Sequence, residues 1–164
     1  MPWFGLLLFF LIIPGWGLES QVLDEHLPSG PFPVPGPIYN RSGQTVGTAK
    51  VYPRFVEIYD QENRFLGKVG ILVEHGYARI HMVNQNKQLS MVGYAHKGRI
   101  FNSQDKVIGT YFWTPTYSFV HDLNGKRVGS TKCIAWPRVC SVGVAGYLLG
   151  LLNGKEPVAN EKNP

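Results

Sequence analysis

The chain predicts an all-β domain of five repeated β-hairpins, closed by a C-terminal apolar segment that forms a short helix. Three observations predict it. A ten-residue unit recurs through the middle of the sequence, and turn-forming residues hold fixed places in each copy. The composition, with 13% aromatic residues and 19 glycines in 164 residues, suits a small β domain with many turns. A last stretch, apolar on every helical face, lies outside the repeat.

The N-terminus, MPWFGLLLFFLIIPGWG, is apolar from Pro2 to Leu18. It is short for a membrane-spanning helix, which needs about 20 apolar residues, and suits the apolar region of an export signal. Residues 1–17 are therefore expected to be a signal peptide, with a retained N-terminal anchor as the alternative. Pro14 and Gly15 argue against a core helix. Residues 18–37, with Pro28, Pro31, Pro33, Pro35 and Pro37, read as a semi-rigid extended linker.

The repeat domain is expected over residues 38–132. Four copies are clear: IYNRSGQTVG from Ile38, IYDQENRFLG from Ile58, IFNSQDKVIG from Ile100 and VHDLNGKRVG from Val120. A fifth, HMVNQNKQLS from His81, keeps the length and the late apolar position (Leu89) without the Asx or the final glycine. Asn40, Asp60, Asn102 and Asp122 suit the first position of a tight turn, where a short side chain bonds the backbone ahead. Gly43, Asn63, Asn86, Asp105 and Gly125 follow three residues later, or at the matching place, and tolerate the left-handed conformation. The late aliphatic and Gly47, Gly67, Gly109 or Gly129 then mark a bulge or a close approach of backbones.

This motif over residues 38–132 resembles the β-flower proteins, in which hairpins of the form IxDxxGxxVG radiate about a pseudo-symmetry axis. Five copies imply the five-fold form and a radial arrangement. The resemblance implies a fold and no catalytic residue. A second architecture is a barrel of hairpins wrapped around the apolar C-terminal helix, as in scramblase-like and tubby-like domains.

The links between copies carry Pro53, Gly76, Gly98 and Pro115 and gather aromatics: Tyr52, Phe55, Tyr77, Tyr94, Phe112, Trp113, Tyr117 and Phe119. These rings are expected to form the core between hairpins, with Trp113 and Tyr117 exposed as a candidate surface contact. Residues 133–152 are the apolar closing segment, expected to plug or cover the hairpins, with a membrane-dipping hairpin as the alternative. Gly143, Gly146 and Gly150 are spaced for close helix packing. Residues 153–164 are a polar tail.

Cys133 and Cys140 stand seven positions apart and suit a small disulfide loop if the protein is exported, or two free thiols if it is cytosolic. The net charge of +5 is spread without a run of bases, which argues against nucleic acid. Within the copies the seventh position reads Gln44, Arg64, Lys87, Lys106 and Lys126. Arg64, Lys87, Lys106 and Lys126 are thus a candidate ring for an anionic surface, lipid headgroups or polysaccharide. The plainer reading is that they keep hairpin tips solvated.

No chemistry of an enzyme is legible. His26, His75, His81, His96 and His121 share no i, i+4 spacing, and no HExxH, G-x-S-x-G, P-loop or complete calcium loop occurs. No cofactor or metal is expected. The sequence thus reads as an exported, non-catalytic structural or binding module of the cell envelope or extracellular space. The alternative is a membrane-associated β domain held by its apolar termini; a glycan-directed enzyme using Trp113, Tyr117 and a histidine is a distant third.

Overall fold

Five Asx side chains close five tight turns. Asn40, Asp60, Asn84, Asn102 and Asp122 each accept, through Oδ1, the backbone N–H four residues on, at 2.8–3.0 Å. Gly43, Asn63, Lys87, Asp105 and Gly125 stand at positive φ three residues after each. This is the predicted turn chemistry, with the third copy corrected. Its Asx is Asn84 and its left-handed residue is Lys87, not Asn86.

The computed structural model describes residues 33–72 and 77–153. The signal segment 1–17, most of the linker, the tail from 154, His26 and His75 lie outside the described residues. The turns join β1 (Val34–Asn40) to β2 (Thr45–Val51), β3 (Phe55–Asp60) to β4 (Phe65–Leu72), β5 (Tyr77–Val83) to β6 (Leu89–His96), β7 (Arg99–Asn102) to β8 (Val107–Trp113), and β9 (Ser118–His121) to β10 (Arg127–Thr131). All neighbours are antiparallel, and β1 pairs with β10 to close a ten-stranded barrel. The turns lie at one end of the barrel and the links at the other. Closure removes the free edges that an open sheet of this length would expose.

Each hairpin repeats one register. Ile38, Ile58, Ile80, Ile100 and Val120 face Gly47, Gly67, Gly93, Gly109 and Gly129 across the strands. The residue before each glycine (Val46, Leu66, Val92, Ile108 and Val128) is skipped as a β-bulge and packs against the core. The third hairpin keeps every feature but is two residues longer in each strand. Its glycine is therefore Gly93 and its bulged aliphatic Val92, not Leu89. The extension carries Leu89 and Met91 beyond the barrel, where both are exposed.

α1 (Pro137–Leu148) fills the barrel, packing against strands of all five hairpins. Pro137 opens it at a position where no N–H is needed. From Val139 to Gly146 every residue is buried. Gly143 and Gly146 admit the side chains of Ile58 and Ile80, whose δ-carbons would stand 2.8 and 3.2 Å from an added Cβ. The buried hydroxyl of Ser141 donates to the Pro137 carbonyl and pairs with Ser118 on β9, so it is not left unpartnered. The helix stops at a Schellman turn: Gly150, at φ 88°, allows Leu151 N–H to reach the Gly146 carbonyl at 2.8 Å.

At that end the helix and the repeat interlock. Tyr147, Leu148, Leu149, Leu151 and Leu152 spread outward, each over one repeat glycine: Gly47, Gly129, Gly109, Gly93 and Gly67 respectively. Read in that order, the glycines run once round the barrel. Each also lies under a backbone carbonyl of the next hairpin, those of Tyr59, Tyr39, His121, Phe101 and His81. A Cβ on Gly109 would lie 2.6 Å from the His121 carbonyl oxygen and 2.6 Å from Leu149 Cδ1. The glycine that ends each repeat is thus where three backbones and one helix-end side chain meet.

Two expectations need correction. β1 begins at Val34, so Pro35 and Pro37 belong to the barrel rather than to a linker. They are tolerated because β10 pairs only with Ile38–Asn40, leaving that side of the earlier half of β1 without a ladder. The aromatics do not form the core, which consists of Ile, Val, Ala, Leu and the two cysteines. With a helix inside the barrel, the inward positions hold aliphatics, and the strand period sends Tyr59, Tyr94, Phe101 and Phe119 outward. The predicted fold class itself stands: five hairpins arranged radially in a closed antiparallel barrel, with the C-terminal apolar segment as a short helix inside it.

Gly109→Ala is expected to lower stability by about 1–3 kcal/mol through overpacking. Gly70→Ala, at a strand glycine with nothing within 4 Å of an added Cβ, should stay within about 0.5 kcal/mol of the parent. Urea unfolding of the two variants checks this; equal effects would contradict the interlock.

Candidate functional site

With helix and aliphatics filling the interior, chemistry is available on three surfaces: the turn end, the link end and the outer wall. The turn end carries the predicted cations, but not at four equivalent points. Because the third turn is Asn84–Lys87, its seventh position is Gln88, so Lys87 is not equivalent to Arg64, Lys106 and Lys126. Arg64 is already paired, its Nε 2.6 Å from Asp60 Oδ2 and its Nη2 3.0 Å from Glu62 Oε2. Lys106 and Lys126 are exposed beside their turns. Each of the five turns carries an exposed cation, Arg41, Arg64, Lys87, Lys106 and Lys126, but only Arg64, Lys106 and Lys126 share one position.

A cavity of about 460 Å³ opens beside the Arg64 cluster, lined by Val46, Asp60, Glu62, Arg64, Tyr147 and Leu152. Its polar groups are largely committed. Tyr147 donates its hydroxyl to the Val46 carbonyl at 2.8 Å. Burial alone would raise the Asp60 carboxyl, but the Arg64 N–H, the guanidinium bond and its charge outweigh this and hold it below the usual carboxylate range.

The link end holds the other predicted contact. Thr114 Oγ1 accepts the Tyr117 N–H at 2.9 Å, and the tight turn this makes presents Trp113 and Tyr117, which are 41% and 45% exposed as expected. Phe112 beside them is 60% exposed, and Ile134, in the link to α1 at the same end, is 61% exposed. Cys133 and Cys140 are bonded, with Cα atoms 6.3 Å apart, and tie that link to the first turns of α1. Gly36 on β1 makes room for Cys133 Sγ. Arg64, Lys106 and Lys126 therefore lie at the end opposite to Trp113 and Tyr117, and the two candidate contacts are not one site.

The outer wall was not singled out from the sequence. Every hairpin places one cation on it: Lys50, Lys68, Arg79 and Arg99 on the strand face opposite the buried residues, and Arg127 opposite His121 just before the bulge. Three of them lie over aromatic rings. Lys50 Nζ stands 3.8 Å from the Tyr59 centroid, Lys68 Nζ 4.2 Å from Phe55, and the Arg127 guanidinium 4.5 Å from Phe119. Tyr94 stacks on Phe101 at 4.8 Å, and His96 on Tyr77 at 4.3 Å. Glu57 is the single carboxylate among the outward positions of the described strands. It accepts the Tyr59 hydroxyl at 2.8 Å; burial first, then this bond, push the phenol up to about 12. His81 is driven the other way by burial, then by Arg79 and Lys68.

A sequence signal for these cations existed. Arg79 and Arg99 directly precede the buried Ile80 and Ile100, and Lys68 directly follows the buried Gly67. Counting in twos from those positions puts all three outside. Among the described residues no group of three His, Cys, Asp or Glu is placed to hold a metal, and no described helix is long and apolar enough to cross a membrane. No protein-family model, curated protein or solved structure matches the chain.

The lowered Asp60 carboxyl has a stability consequence. A carboxyl with a depressed folded-state pKa contributes stability above its unfolded value, about 4, that is lost as pH falls through the folded value. Asp60→Asn should be less stable than the parent at pH 7, and the gap should close in acid. Urea midpoints over a pH series check this; a gap that persists unchanged below about pH 2 would show that the charge is not what Asp60 contributes.

Proposed function

We propose that the chain is an exported, non-catalytic binding module that works at the cell envelope or outside the cell, with the outer barrel wall as its working face. The observation that carries this is the wall itself: five cations, one from each hairpin, against one carboxylate, with aromatic rings between them. A rigid closed scaffold that displays charge and flat rings suits adhesion to an anionic partner. The Cys133–Cys140 bond is compatible with an oxidising compartment, and the apolar segment 1–17 suits an export signal. The recurrence of one Ile-x-Asx hairpin about a single axis supports a relationship to the β-flower proteins, and a helix within the barrel supports one to the scramblase-like and tubby-like domains.

A second reading has its own observation. Phe112, Trp113, Tyr117 and Ile134 are exposed at the link end, which is where β1 enters from the N-terminal segment. If residues 1–17 were retained as an anchor, this rim would face the bilayer, with the exposed Arg54, Lys97 and Arg138 near the headgroups.

Cell fractionation followed by intact mass without reductant separates the two. The binding-module reading expects a soluble extracytoplasmic species beginning near Leu18 or Gln21, two mass units lighter than its reduced form. A full-length, membrane-bound species would replace it with the anchored reading. In that case Trp113→Ser/Ile134→Ser should weaken flotation of the described domain with anionic vesicles.

A further inference from the structure

We propose that the outer wall carries a binding stripe for an acidic polysaccharide chain, formed by His96, Arg99, Thr110, His121 and Arg127; this rests on the binding-module reading above. The strand registers place these five side chains in one unbroken row. His96 faces Arg99, Arg99 faces Thr110, Thr110 faces His121, and His121 faces Arg127, from β6 across to β10. Directly opposed residues on one face of an antiparallel pair lie about 5 Å apart at Cβ, so each can share a ligand with the next. Every member is a hydrogen-bond donor, two are permanent cations, and no carboxylate lies in the row.

The fold does not explain the row. Neither arginine faces an acid across the strands: Arg99 faces His96 and Thr110, and Arg127 faces His121. Asp122, next to His121, is occupied by the backbone N–H groups of Asn124 and Lys126, both at 2.9 Å. Arg127 is held over Phe119 at 4.5 Å, which orders its guanidinium without neutralising it. Arg99, Thr110 and Arg127 are exposed, and exposed lysines flank the row, Lys97 beside His96 and Lys126 beside Arg127.

The shape of the row selects the partner. It starts near the link end on β6 and β7 and finishes near the turn end on β10, an oblique path set by the tilt of strands in a barrel. It crosses four of the ten inter-strand steps, about 19 Å along the wall and roughly 140° around it. Side chains at its two ends point in directions too far apart for a flat lipid surface to meet both. A flexible polyanion can follow such a path. The pairs His96/Arg99 and His121/Arg127 are separated by Thr110, so donors come in two clusters with an uncharged hydroxyl between. That pattern fits a glycan whose anionic groups meet the two clusters while a sugar hydroxyl between them meets Thr110.

The test uses the mature protein and a heparin-derived octasaccharide, with titration calorimetry over a series of salt concentrations. Arg99→Ser/Arg127→Ser is expected to weaken binding about tenfold to a hundredfold, and to lower the log-affinity against log-salt slope by about 2. Arg99→Lys/Arg127→Lys should recover most of the affinity, and Lys132→Ser, at an exposed lysine that is not one of the wall cations, should leave it unchanged. Thermal unfolding of each variant verifies that the barrel is intact. Parental affinity in the Arg99/Arg127 serine variant would overturn the stripe. So would phosphatidylglycerol vesicles or a charge-matched single-stranded oligonucleotide binding through the same residues as tightly as the octasaccharide. Loss of binding in a Lys50→Ser/Lys68→Ser variant, with none in the Arg99/Arg127 serine variant, would overturn the stripe, move the site to the other wall and leave the module reading standing. Absence of octasaccharide binding by the parent would overturn the polysaccharide assignment, whereas the module reading itself fails only on the fractionation result.

Discussion

The structure depends on the contact between five repeat glycines and the end of one helix. Each glycine lies beneath a carbonyl of the next hairpin and one side chain from Tyr147 to Leu152. Removing Cβ at that point lets successive hairpins close onto one another while the helix end seats between them. The two halves of the contact depend on each other. Without the glycines the barrel could not tighten around the helix, and without Tyr147 and the four leucines each bulge would leave an apolar hollow. The Schellman turn at Gly150 completes it, because it redirects the chain so that Leu151 and Leu152 reach the glycines the helix alone would not.

From that contact the distribution of side chains follows. A helix inside a ten-stranded barrel leaves a shell one side chain thick, and Ile, Val and Ala fill it. Aromatics and long cations therefore go outside, where rings stack with one another and support cations above them. The same packing that builds the core thus produces a wall of ordered charge. The proposed function accordingly draws on the exterior, on rigid strands rather than on loops.

Much of this fold was legible in the sequence, because turn chemistry and bulge glycines are local. Asn40, Asp60, Asn102 and Asp122 announced their turns through residue type and spacing alone, and the closing glycines announced the bulges. The third hairpin was misread by register: its two extra residues per strand moved the Asx to Asn84 and the glycine to Gly93, while a fixed ten-residue window pointed to His81. The aromatics were misplaced because ring size suggested a core, and the sequence does not state how thick the core is until the helix is known to occupy it. Tyr117 and Trp113 were placed correctly by their turn. The stripe from His96 to Arg127 was not legible at all, since it joins residues up to 31 positions apart through the registers of five strands.

Amide hydrogen exchange under native conditions tests the central dependence most directly. If helix and barrel form one interlocked unit, the amides of Val142 to Leu148 exchange only through global unfolding, with the same free energy and denaturant dependence as those of Ile58 and Ile100 in the strands. Exchange of α1 through a lower-energy opening, while the strand amides stay protected, would contradict it. The helix would then be a plug resting in a barrel that stands without it.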